Sequence, residues 1–274
     1  MKGLPTNLNT MPPSTPNDRS RFVRNLLILS LLGNLLIVYV AYKALDYRDH
    51  VNYFRDKYLE SIPTLSQRAY FAEENRALVS DTLMPNRVVF FGTQVTRWWK
   101  LAANFPEYEA INRGISGQRV AGYLLRFRPD VIELRPAAVV IELSSYNFRP
   151  ENSVEEIKDY VASLADFARA NQIVPILSTV LPIDDDFEAE IDLPYNVMDS
   201  LRQFNDWLRA YCDSQSIAYV DAYQALVDSA GFLDTERANG QINLKKEGYA
   251  VLTQLTKEAL TRSGVPPWGK KVTN

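Results

Sequence analysis

The sequence predicts a three-layer α/β/α domain built on a parallel sheet and preceded by one transmembrane helix. Two observations carry the domain. Short runs such as "RVVFF" and "AAVVIEL" hold Val, Ile and Phe without polar alternation, as strands buried on both faces do. Stretches with helical periodicity separate them, which is the βαβ order of a parallel sheet covered by helices. The third observation is "LLILSLLGNLLIVYVAY", Leu26 to Tyr42, 17 uncharged residues flanked by Arg24 and Lys43.

Composition bounds the function classes. With 46% hydrophobic and 23% charged residues in 274, the chain can bury a sizeable core. Its net charge of −3 gives no electrostatic case for nucleic acid. One cysteine, Cys212, excludes an intramolecular disulfide and a thiolate cluster. No metal site and no cofactor is expected. The single histidine, His50, would have to supply any imidazole chemistry.

Taken in order, residues 1–20 are rich in Pro, Asn, Ser and Thr and read as a disordered tail. Residues 21–45 form the anchor, through which Leu26 to Tyr42 would bind the membrane. A cleavable signal peptide fits poorly, because the apolar run ends in Val40, Tyr42 and Lys43 and its cationic flank lies behind the tail. Gly33 and Asn34 at its centre suit packing against another helix. Cations are nearly balanced across the span, so charge alone leaves the orientation open. Residues 46–83 read as a helical juxtamembrane stalk broken near Pro63.

The α/β domain is expected over residues 84–263. Its strands are "RVVFF", "EYEAIN", "AAVVIEL", "QIVPILSTV" and "SIAYVD". Ser153 and Glu156 form a capping-box pattern ahead of Ile157, Val161, Leu164 and Ala168. Pro194 opens a second helix with Val197, Leu201, Phe204, Leu208 and Tyr211 on one face. Residues 264–274 read as a flexible tail. In such sheets ligands bind beyond the carboxyl ends of the strands, which directs attention to the loops after Phe91, Asn112, Leu143 and Val180.

Four segments at those ends, "VVFFGTQVT", "INRGISGQ", "VVIELSSYNF" and "GQINLKKEGYAVL", resemble in order the four blocks of the SGNH/GDSL hydrolase family. The resemblance covers the α/β domain. It implies an ester hydrolase whose Ser, His and Asp form a triad beside an oxyanion hole. Carried over residue by residue, Gln94 stands for the nucleophilic serine, Asn243 for the base histidine and Gly240 for its orienting aspartate. Sliding the last block by one would put Asn239 at the acid position and still supply no imidazole. Thr93 replaces the first-block aspartate, Ser145 the third-block glycine and Phe148 the third-block aspartate. Gly117 and Asn147 keep the two oxyanion positions outside the first block.

These replacements imply a degenerate site, because nucleophile and base act as a unit and losing either lowers turnover by roughly 10⁶. The expected function is a membrane-anchored pseudoenzyme that binds an acylated or glycan ligand, or acts as an accessory subunit for a protein partner in a membrane or envelope assembly. Its domain is expected on the periplasmic side. Ligand contacts are expected from Thr93, Gly117, Asn147, Tyr146 and Trp98. The alternative is a divergent esterase or acyltransferase acting on ester-linked acyl groups of lipids or glycans. It would use a hydroxyl of Thr93, Thr96, Ser116, Ser144 or Ser145 with Glu142 as base. Otherwise those hydroxyls cap turns and Glu142 pairs with Arg113 or Arg119. Trp98 and Trp99 either stack on a ligand or pack against the sheet. "DDDFEAEID", Asp184 to Asp192, reads as a solvated lid loop rather than a calcium loop, since it lacks spaced ligands and a turn glycine.

Overall fold

A computed structural model describes residues 16–80, 84–148, 153–184, 197–240, 243–265 and 267. The chain divides into two compact units, Met1–Ser61 and Ile62–Asn274. The first is dominated by one helix, α1 (Pro16–Ser66), which begins inside the segment expected to be tail and continues in one piece past Pro63. Within it, Arg19–Arg55 is long and apolar enough to cross a membrane.

The second unit contains a five-stranded, wholly parallel sheet in the order β2-β1-β3-β4-β5. Its strands are β1 (Arg87–Gly92), β2 (Glu109–Gly114), β3 (Ala138–Ile141), β4 (Val174–Ser178) and β5 (Ala218–Val220). Side chains alternate between two cores, as strand geometry requires. Val89 and Phe91 face α5 (Val120–Asp130), α6 (Val154–Ala170) and α7 (Val197–Gln215), joining a cluster with Tyr123, Leu164 and Phe204. Val88 and Phe90 face the opposite layer, where they meet Trp99, Phe105 and the Leu252 and Leu260 side chains of α9 (Lys246–Arg262). This double burial is the reason the strands carry no polar alternation.

Caps fix the helix ends. Both arms of the α6 capping box form: Glu156 N–H donates to Ser153 Oγ at 3.1 Å, and Ser153 N–H donates to Glu156 Oε2 at 2.9 Å. At the far end of α9, Val265 N–H reaches Leu260 O and Gly264 N–H reaches Thr261 O, a Schellman pattern with Val265 buried. The domain therefore includes Val265, inside the segment expected to be a flexible tail.

A second correction concerns the stalk. Residues Ala72–Ser80 form α2, and its buried Asn75 donates to Asp130 Oδ1 at 2.6 Å while accepting from Arg113 Nε at 2.9 Å. This helix belongs to the α/β unit, so the unit begins ahead of residue 84.

Candidate functional site

The four blocks converge at the carboxyl ends of β1, β2 and β3 and on the loop before α9. Strand β1 ends at Gly92, and Gln94 opens the short helix α3 (Gln94–Trp98). A Cβ on Gly92 would collide with Thr96 Oγ1 and Glu142 Oε2, so glycine is required by close approach. Strand β2 is tied to this turn by Ile115 N–H donating to Gly92 O at 3.0 Å and Asn112 Nδ2 donating to Thr96 O at 2.7 Å.

Glu142, just beyond β3, is the electrostatic centre of the turn. It accepts from Thr93 N at 2.7 Å, Thr93 Oγ1 at 2.8 Å and Thr96 Oγ1 at 2.9 Å. Burial pushes its pKa up, and the bonds from Thr93 and Thr96 oppose that rise. Thr93 and Thr96 are themselves buried. One expectation is corrected here. Glu142 is held by threonines, not by Arg113, whose guanidinium bonds Asn75, Glu74 and Asn112 O. Thr93, expected to contact a ligand, is placed with its amide and hydroxyl both engaged by Glu142.

Gln94 is half-buried, and its Nε2 donates to Asn243 Oδ1 at 2.5 Å. The positions of nucleophile and base thus face each other across a direct hydrogen bond, with amides in place of hydroxyl and imidazole. Beside it, Asn239 N–H donates to Asn243 O at 2.7 Å and Asn243 N–H donates to Gly240 O at 3.1 Å. Gly240 holds φ +56°, and a Cβ there would lie 4.0 Å from Asp184 Oδ2. His50, the only histidine, sits on α1 and bonds Asp46 O of its own helix at 3.0 Å.

The two positions expected to serve the oxyanion differ in exposure. Gly117 is exposed at φ +72°, with open space where a side chain would stand. Asn147 is buried; its Oδ1 accepts from Val120 N at 2.7 Å and its Nδ2 donates to Ser144 O at 3.1 Å. Phe148, in place of the block's aspartate, leaves the site for the core and packs on Phe204 at 5.3 Å.

The remaining candidates separate by exposure. Trp99 is buried among Phe90, Phe105 and Tyr249, and its Nε1 donates to Thr253 Oγ1. Trp98 is 62% exposed under the Arg97 guanidinium, and Tyr146 is 38% exposed. Ser145 Oγ is buried and has no hydrogen-bond partner among the described residues. Of the acidic loop only Asp184 is described. Among the described residues no group of three His, Cys, Asp or Glu is placed to hold a metal.

One supporting residue escaped the sequence reading. Arg126 is buried in α5 with its guanidinium 4.0 Å from the Phe91 ring, bonding Asp130 Oδ2 at 2.8 Å, Arg113 O at 2.9 Å and Gln118 Oε1 at 2.5 Å. It fastens the Gly117 loop to the sheet. The available signal was an arginine beside Tyr123 and Phe127, with an aspartate four residues later.

Fold and site together define an ester-hydrolase scaffold, and comparison with known proteins agrees. The model of the GDSL-like lipase/acylhydrolase family matches residues 90–251. A GDSL-like lipase from Bacteroides thetaiotaomicron is 31% identical, with TM-score 0.66, 73% of this chain covered and 99% of that one. A protein assigned as an acylhydrolase from Bacteroides fragilis is 28% identical, with TM-score 0.63 and 72% and 96% covered. A G-D-S-L family protein from Desulfitobacterium hafniense, 21% identical with TM-score 0.55 and 64% and 99% covered, shares the fold. No curated protein matches the chain. The chain belongs to the GDSL-like lipase/acylhydrolase family.

Proposed function

We propose that this protein is a membrane-anchored member of the family without acyl-transfer chemistry, acting by binding as an accessory subunit of a membrane or envelope assembly. The Gln94–Asn243 hydrogen bond carries this reading. An amide is not a useful nucleophile toward an acyl carbon, and a second amide cannot accept its proton near neutral pH. An oxyanion hole alone leaves roughly 10³–10⁴ over water, far below a working triad. The α1 helix supplies the anchor by its length and composition.

The competing esterase reading needs an accessible hydroxyl beside a base. Glu142 does meet two hydroxyls, but Thr93 and Thr96 are buried with it. Hydrolysis of short acyl esters by the full chain in detergent tests the proposal. The rate should match that of Gln94→Ala and Asn243→Ala. A rate well above background that either substitution abolishes would refute it.

A further inference from the structure

Helix α1 carries an ordered charge pattern that the α/β site does not use. From Ile37 to Tyr58 its residues follow a heptad register: Ile37, Ala44, Val51 and Tyr58 fall at position a, and Val40, Tyr47 and Phe54 at d. The seam starts in the apolar run and continues past it. Toward the N-terminus it extends through Gly33 and Ser30, small residues that permit close helix approach, with Asn34 beside them at e.

Charges are sorted by the same register. Every e and g position from 43 to 57 is basic: Lys43, Arg48, His50, Arg55 and Lys57. The acidic residues Asp46, Asp49, Asp56 and Glu60 all occupy c or f, away from the seam. Contacts such as Lys43–Asp46 at 3.5 Å are exposed, solvent-screened pairs and leave the flank cationic.

Among the described residues the seam is exposed. Ile37 is 66% exposed, Tyr47 73% and Phe54 64%. Beyond the apolar run these side chains would stand in water, where a lone helix is marginal without a packed face. A second copy of α1 is a poor occupant. In a parallel pair Lys43 would oppose Arg48, and an antiparallel pair also sets cation against cation.

We propose that this face of α1 docks a partner membrane helix with apolar a and d positions and Asp or Glu at e and g. The proposal rests on α1 being retained as the anchor, and it makes the accessory role specific. The partner's acidic flanks would set recognition and register, while the apolar seam supplies the contact area.

The test reconstitutes the full chain in neutral phosphatidylcholine bilayers with two synthetic single-span helices. They share one apolar seam and differ only in Glu or Lys at e and g. The Glu probe should bind about tenfold tighter or more, less so at high salt. Lys43→Glu, Arg48→Glu, Arg55→Glu and Lys57→Glu combined should invert the preference, which also shows that the variant still folds and inserts. Equal binding of both probes, self-association through the seam, or binding to anionic vesicles without either probe would overturn the proposal. An intact mass showing α1 cleaved from the membrane-purified protein would overturn the anchor reading as well. Indifference to the probes with α1 present would overturn this inference alone.

Discussion

Gln94 and Asn243, 149 residues apart, meet through a direct amide–amide hydrogen bond at the mouth of the site. The space that a catalytic serine and histidine would share is closed by two neutral side chains. An amide–amide hydrogen bond of this kind contributes about 1 kcal/mol, and less where it is exposed to water. Gln94→Ala and Asn243→Ala should therefore each lower unfolding free energy by no more than about 1 kcal/mol in urea titrations. Losses several times larger would mean that the pair anchors the fold.

Reinstating the triad should not reinstate the enzyme. Gln94→Ser, Asn243→His and Gly240→Asp restore the residue types but not their support. An aspartate at 240 must adopt φ +56° and would face the Asp184 carboxylate. Ser145 and Phe148 also leave the third block altered. Ester hydrolysis by the triple variant should stay near that of a Gln94→Ala control; robust turnover would show a pocket still shaped for an acyl substrate.

Close approach at Gly92 should dominate over backbone freedom at Gly240. Gly92→Ala drives a methyl group into Thr96 and Glu142 and should cost about 2–3 kcal/mol. Gly240→Ala meets only Asp184 Oδ2, at ordinary van der Waals distance, at a positive φ and should cost about 1 kcal/mol. Denaturation midpoints rank the two, and the reverse order would argue against the tight Gly92–Glu142 packing.

Glu142 should leave a signature in the pH dependence of stability. Its folded pKa lies above the ordinary 4.5, so the native state binds more protons than the unfolded chain between those two values. Stability from this group is complete below about 4.5 and declines as pH rises through the folded value. Glu142→Gln keeps the shape and removes the titration, so its unfolding free energy should lose that decline between the two values. An unchanged slope would assign it to other groups.

Much of the fold was legible in the sequence because its signals are local. Unalternated strands marked a sheet covered on both faces, and Ser153 and Glu156 marked a helix start to the residue. The positions of Gln94 and Asn243 were legible through the blocks, but their contact spans most of the domain and no local pattern encodes it. Glu142 was left between a hydroxyl and an arginine as its partner, because charge pairing and proximity along the chain both had a claim on it. Its carboxylate lies against the Gly92 turn and accepts from the Thr93 amide and two threonine hydroxyls. Trp98 ends a short helix and Trp99 follows it as the extended C-cap, and only packing decides that Trp99 turns inward. That α2 belongs to the α/β unit was hidden because its one buried side chain is the polar Asn75.

The central claim is that this scaffold holds no activated nucleophile, and the mass of the full chain after incubation with a fluorophosphonate tests it most directly. The account predicts an unshifted mass, with a catalytically intact family member labelled in parallel. One adduct per chain, mapped to Ser116, Ser144 or Ser145 and lost on Glu142→Gln, would contradict it.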